Sequence, residues 1–176
     1  MRLMVATLLV CFCPAIAPGI SAEDAYPCVR FVQSGERWLL RDGARQSPTL
    51  SRIAEALCRT DVIVYVRIDM TMKSGLAGSC GLLTATPFSR ILVVRLNGRM
   101  QFASSLMATL SHELEHALQI GRAAWVRSPR DVLQLQRILT PGGQHAESAD
   151  RAEAATRREI AAAAPVRPAG VRPRPP

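Results

Sequence analysis

The spacing of apolar residues changes near Ser104, and this change restricts most strongly what the chain can fold into. Before it, apolar residues alternate with other residues over 61–69 and again over 89–96, which predicts strands. From residue 104 to residue 121 they recur at intervals of three and four, which predicts an amphipathic helix. A small sheet followed by this helix and two further helices predicts an α+β domain over residues 23–164.

Weaker signals predict the other elements. Turn, cap and breaker residues place a helix that begins at Ser47-Pro48, a glycine-rich connection at 75–81, a short strand at 82–86, a helix from Ser128 to before Pro141, and a last helix over 146–164.

The first 22 residues have the pattern of a secretory signal peptide. Arg2 precedes an apolar stretch, no further charge occurs before Glu23, and small residues occupy positions 21 and 22. Pro14 and Pro18 interrupt the stretch, so it falls short of the roughly 20 unbroken apolar residues of a membrane anchor. We therefore expect a mature protein that begins at Glu23, is secreted or periplasmic, and has no membrane segment after cleavage.

Charge argues against a nucleic-acid partner. The chain of 176 residues has 22 basic and 14 acidic residues and a net charge of +8, but no block of five like charges occurs. Lys73 is the only lysine, and the arginines are spread along the chain. The Pro- and Arg-rich segment 165–176 contains too little apolar material to bury and is predicted to be a disordered tail.

The expected mature chain keeps three cysteines, Cys28, Cys58 and Cys80. An oxidising compartment allows one disulfide and leaves one thiol, and the sequence does not determine which pair forms. Because C-x-x-C spacing is absent, neither a cysteine zinc site nor a thioredoxin-type redox motif is predicted.

One sequence motif indicates metal binding and catalysis. Residues 112–116 read H-E-L-E-H, which is H-E-x-x-H within the predicted long helix. Residues four apart lie on one helix face, so His112 and His116 can bind a single Zn²⁺. Glu113 then acts as general base on a zinc-activated water. The alternative is two surface histidines beside acidic neighbours.

A catalytic zinc site needs a third protein ligand, and the candidates follow Gly142-Gly143. We favour Glu147, which would complete a two-His-one-Glu set, although a first-turn glutamate can also simply complement the helix dipole. Asp150, one turn later, is a candidate for orienting a histidine ring or for a solvated surface position. His145 is the alternative ligand.

Residues 104–160 resemble the active-site half of the zincin metallopeptidases in their gluzincin arrangement. The motifs are S-H-E-L-E-H-A-L at 111–118 and A-E-S-A-D-R-A at 146–152. They are also similar to short, exported bacterial proteins in which a HELxHA helix precedes a [FY]-E-[TS]-x-A helix. The resemblance implies a minimal zincin-like domain with a zinc site. Ala146 departs from it by replacing an aromatic residue, and no third histidine follows at metzincin spacing.

These observations predict an exported zinc metallopeptidase that hydrolyses a peptide or protein substrate. The strand at 89–96 is expected to lie beside the cleft and to pair with an extended substrate. The alternatives are a non-catalytic exported zinc-binding or structural module on the same fold, and a surface binder of polyanions. The sequence does not determine the substrate or the oligomeric state.

Overall fold

The computed structural model describes residues 25–99, 102–139 and 144–164. The predicted signal peptide at 1–22 and the predicted tail at 165–176 lie outside these ranges. Within them, no helix combines the length and the apolar character needed to cross a bilayer.

Four strands form one sheet in the order β1-β2-β4-β3. The strands are β1 (Val29–Phe31), β2 (Val62–Asp69), β3 (Gly78–Ala85) and β4 (Arg90–Asn97). β2 runs parallel to β1 and β4, whereas β3 is antiparallel to β4. The prediction that residues 89–96 offer a free strand edge to a substrate is wrong, because β4 pairs with a strand on each side. The edge strands of the described sheet are β1 and β3.

Within the described residues, five α-helices with defined bounds accompany the sheet. They are α1 (Trp38–Gln46), α2 (Pro48–Leu57), α3 (Ala103–Arg122), α4 (Pro129–Leu139) and α5 (Gln144–Ala163). The fold is mixed α and β, in agreement with the predicted α+β class. Sequence reasoning missed α1 and β1, which are short and show too few apolar residues for a clear period.

β3 is longer than predicted. It begins at Gly78, inside the segment expected to be a connection, and Gly78 pairs with Leu96 of β4. Glycine has a low strand propensity, but the backbone hydrogen bonds of an existing neighbour outweigh that preference. The extension brings Gly78 and Cys80 against α3.

Helix α3 is the centre of the core. It packs against the sheet on one side and against α5, α1 and α2 on others. The inward sheet face consists of buried aliphatic residues from the two central strands: Val62, Val64, Val66, Leu92, Val94 and Leu96. Because α3 is covered by both a sheet and helices, most of its surface between Leu106 and Gly121 is buried.

A buried arginine fixes the C-terminal end of α3 on the sheet. Arg90, at the start of β4, donates to the carbonyls of Ile120 at 2.6 Å, Gly121 at 2.8 Å and Ala123 at 2.8 Å. Its guanidinium also pairs with Asp61, just before β2. The positive charge thus lies at the negative end of the helix dipole and binds carbonyls of the last turn, which lack the partner four residues later that a helix interior provides.

Two further connections hold α2. Ser47 caps its first turn by accepting a hydrogen bond from Leu50, as predicted, and Pro48 is its first residue. A disulfide joins Cys28, next to β1, to Cys58 at the C-terminal end of α2, which leaves Cys80 as the free thiol.

Candidate metal centre

The two histidines of the H-E-x-x-H motif face each other on α3. Their Nε2 atoms lie 3.0 Å apart. Leu110, Leu114 and Leu118 are buried on the same helix and fix its rotation. Both imidazoles therefore converge on one point.

A glutamine holds the ring of His116. Gln119, three residues along α3, places its Oε1 atom 3.2 Å from His116 Nδ1. Its Nε2 atom donates to Ser148 Oγ of α5 at 2.6 Å, and this contact fixes the amide orientation. With Nδ1 donating to the amide oxygen, His116 presents the lone pair of Nε2 to His112.

Carboxylates face the other ring. His112 Nδ1 is buried and has no hydrogen-bond partner among the described residues. The nearest acceptors are Glu153 Oε2 at 3.3 Å and Asp150 Oδ1 at 3.5 Å, both from α5. These contacts have the length of ion pairs but not the alignment of hydrogen bonds. The negative environment nevertheless favours a proton on Nδ1 and a lone pair on Nε2.

This arrangement fits a divalent metal ion. The two Nε2 atoms at 3.0 Å form a hydrogen bond if one of them carries a proton, and if both present lone pairs they need a cation between them. Two nitrogens bound tetrahedrally to Zn²⁺ at about 2.0–2.1 Å would be separated by a similar distance. Oxygen acceptors beside both Nδ1 atoms are the usual surroundings of metal-binding imidazoles. His112 and His116 therefore fit two of the ligands of a zinc site.

Glu113 lies at the base of the same site. Its side chain is 5% exposed and packs closely against the backbone of β3, since a Cβ added to Gly78 would lie 2.5 Å from Glu113 Oε1. Burial, and secondly the negative charge of Glu153, raises the pKa of Glu113 to about 7. Burial and the charge of Glu113 also raise the pKa of the nearby Cys80 thiol, which stays protonated.

These side chains line one cavity of about 320 Å³ between β3, α3 and α4. His112, Glu113 and His116 form one wall, and Gly78, Ser79 and Cys80 of β3 form the facing wall. Val132 and Leu135 of α4 add apolar surface. The cavity size and its few polar groups are typical of a small-ligand or peptide side-chain site.

The structure does not bring Glu147 to the histidines. Its carboxylate is exposed and lies 3.4 Å from Arg151 on the same helix. Among the described residues, no three His, Cys, Asp or Glu side chains form a metal-ligand group. Asp150 Oδ1 lies 3.5 Å from His112 Nδ1, without hydrogen-bond alignment, and its side chain is 65% exposed, whereas the side chain of His145 lies outside the described part of the chain.

Sequence reasoning missed Glu153 and Gln119. Glu153 lies one helical turn beyond Asp150 on α5, and Gln119 one turn beyond His116 on α3. Each lies three residues from a predicted site residue on the same helix, and this spacing could have indicated that they are neighbours. The contact of Gly78 with Glu113 had no local signal, because it joins elements that are distant in the sequence.

No protein-family model, curated protein or solved structure matches this chain. The chemistry of the cavity is therefore inferred from its own side chains.

Proposed function

We propose that this chain is an exported zinc-dependent metallopeptidase with a minimal zincin-like domain. The observation that carries the proposal is the convergence of His112 Nε2 and His116 Nε2, 3.0 Å apart, beside the buried carboxylate of Glu113. Two imidazoles and an adjacent carboxylate on one helix are the combination that metal-assisted hydrolysis uses.

Zn²⁺, when bound by the two histidines, supplies a Lewis acid for a water molecule and for the carbonyl of the scissile bond. Glu113 accepts the proton of the attacking water and passes it to the leaving nitrogen. Its close contact with Gly78 holds the carboxylate at the cavity wall. Gln119 and the carboxylates of Asp150 and Glu153 keep the two rings oriented.

The edge strand β3 is the candidate for holding a peptide substrate. Ser79 and Cys80 line the cavity, and β3 has only β4 as a neighbour in the sheet. A substrate in extended conformation could pair with its outer edge and place a peptide bond near Glu113.

Glu147 remains the proposed third ligand, with His145 as the alternative. For Glu147 to bind the metal, the first turn of α5 must turn this residue from the exposed side of the helix toward the histidines. Its contact with Arg151 must also break, which costs little because the pair is exposed. Asp150 and Glu153 are proposed to orient His112 instead of binding the metal.

The metal proposal is tested by the zinc content of the purified protein. We expect about one zinc per chain, and His112→Ala should abolish binding because too few ligands remain. Glu147→Ala should weaken zinc binding more than Asp150→Ala, Glu153→Ala or His145→Ala does. A larger loss in His145→Ala would identify a three-histidine site, and full zinc content in His112→Ala would contradict the proposed site.

The catalytic proposal is tested by Glu113→Gln. The amide keeps the size of the side chain but cannot accept a proton, so zinc content should stay unchanged while cleavage of a mixed peptide or denatured-protein substrate is lost. Glu55→Gln, an exposed glutamate of α2, is the matched control and should cleave like the wild type. Equal cleavage by Glu113→Gln and wild type would contradict the assigned role.

The second candidate is a non-catalytic exported zinc-binding or structural module. The small cavity, of about 320 Å³, favours it, because it leaves little room to hold a peptide on both sides of a scissile bond. Zinc-loaded wild type that cleaves no substrate in a broad panel, while His112→Ala loses zinc, would support this module over the peptidase.

A further inference from the structure

A second cavity, of about 560 Å³, lies between α2, α3 and α5. It uses a different face of α3 and shares no lining residue with the candidate metal centre. Its apolar part includes Ile53, Leu118 and Ala152, all buried. Four arginines, here called the arginine rim, line it as well: Arg52 of α2, Arg122 of α3, and Arg151 and Arg158 of α5.

The arginine rim is poorly neutralised. Glu115 is the only acidic residue that lines this cavity. Arg151 forms an ion pair with the exposed Glu147, and Arg52 interacts electrostatically with Glu159. Arg122 and Arg158 have no ion-pair partner among the described residues.

Several other arginines of the described chain form ion pairs. Asp42 pairs with Arg41 and Arg45, and Asp69 pairs with Arg67 and Arg95. The rim differs from isolated surface arginines because its four members line one cavity. Four arginines collected around an apolar floor match an anion that carries an apolar group.

We propose that the arginine rim binds a small molecule with a doubly charged anionic head, a phosphate monoester or a dicarboxylate, attached to an apolar body. The guanidinium fork matches the oxygens of either head through paired hydrogen bonds. The head carries two charges because Arg122 and Arg158 both lack an acidic partner in the described chain. The apolar body lies on Ile53 and Leu118, and the cavity volume is in the range of small-molecule sites.

The carboxylate of Glu115, which also lines this cavity, should oppose the binding of an anion. A carboxylate inside an anion site repels the ligand and competes for the arginines. Removing its charge should therefore tighten binding, whereas removing a rim arginine should weaken it.

The test measures binding of phenyl phosphate by titration calorimetry, in the His112→Ala background so that a bound metal cannot capture the phosphate. We expect saturable binding, weaker binding of inorganic phosphate, which lacks the apolar body, and none of phenol. Phenylmalonate, compared with phenyl phosphate, distinguishes the two heads, since the tighter ligand identifies the preferred one.

Arg122→Gln and Arg158→Gln should each weaken binding about tenfold or more, because each removes a hydrogen bond between charged groups. The matched control is Arg137→Gln on the exposed face of α4, which should leave binding unchanged. Glu115→Gln should tighten binding several-fold, and Glu55→Gln should not. The proposal would be overturned if Arg137→Gln weakened binding as much as the rim variants do. It would also be overturned if Glu115→Gln left the affinity unchanged, or if binding never saturated.

Discussion

Arg90 is the largest fully buried side chain among the described residues, and its guanidinium has several simultaneous partners. It connects the start of β4 to Asp61 and to the last carbonyls of α3. Since the same helix carries His112, this one side chain contributes to where the candidate site lies relative to the sheet.

We expect Arg90→Ala to lower the free energy of unfolding by about 3 kcal/mol, because it removes the buried guanidinium that joins Asp61 to the last carbonyls of α3 and leaves Asp61 with the more exposed Arg127. Urea unfolding measures the change. Arg41→Ala, at an exposed position of α1, removes the same charge and should change stability by less than about 0.5 kcal/mol. Equal losses in the two variants would show that Arg90 does not hold the helix end.

Residue 78 must be a glycine because the side chains of Glu113 and Thr109 lie close to its backbone. A Cβ at this position would lie 2.5 Å from Glu113 Oε1 and 2.9 Å from Thr109 Cγ2. Gly78→Ala should therefore displace Glu113, destabilise the fold by about 1–3 kcal/mol and reduce peptidase activity.

The control for Gly78 is in the same strand. A Cβ at Gly81 meets nothing within 4 Å, so Gly81→Ala should be close to wild type in urea unfolding and in activity. If both alanine variants behave alike, the tight contact between β3 and Glu113 is not what excludes a side chain at residue 78.

Among the secondary-structure elements, the carboxylate of Glu159 links α5 to the N-terminal end of α2. Glu159 Oε2 accepts hydrogen bonds from Ser47 Oγ at 2.5 Å and from the Thr49 backbone at 3.1 Å, and Oε1 accepts from Thr49 Oγ1 at 2.7 Å. A negative charge at the N-terminal end of α2 also complements its dipole.

Glu159→Ala should cost about 2 kcal/mol of unfolding free energy, because several hydrogen bonds to a charged acceptor are lost. Hydrogen exchange should accelerate at the Thr49 amide, which loses its acceptor. Glu55→Ala, exposed on α2, should leave that amide unchanged. Unaltered protection of Thr49 in Glu159→Ala would contradict this attachment.

At the scale of the whole molecule, paired carboxylates set the response to acid. Hydrogen bonds from Thr71, and then from Arg95, hold the pKa of Asp69 well below its usual range. Hydrogen bonds from Arg90 lower the pKa of Asp61. A carboxyl whose pKa is lower in the folded state stabilises the protein above its ordinary pKa of 3.8, and this contribution is lost as the pH falls below it.

We therefore expect the free energy of unfolding to decrease as the pH falls from about 5 to about 2. Asp69→Asn cannot titrate, so its unfolding free energy should depend less on pH over this interval, whatever its stability at neutral pH. Urea unfolding at several pH values measures both slopes. A slope that is identical in the variant and the wild type would contradict the assignment to Asp69.

The sequence by itself determined the elements that repeat a local pattern. The alternation of Val62, Val64 and Val66 gave the buried face of β2, and the spacing of leucines gave α3. It also placed His112 and His116 on one helix face, because residues four apart are neighbours in any α-helix. These features depend on a few adjacent residues, so no knowledge of the rest of the chain was needed.

Which residues from distant segments meet at the site depends on the packing of the whole fold. The rotation of α5 is set by the packing of Ala149, Ala152 and Ile160 in the core, and this places Glu153 beside His112. Glu147 lies two residues before Ala149 and so about 160° around the helix, on its exposed side. Such contacts follow from how whole faces pack against each other, and no spacing within a single helix contains that information.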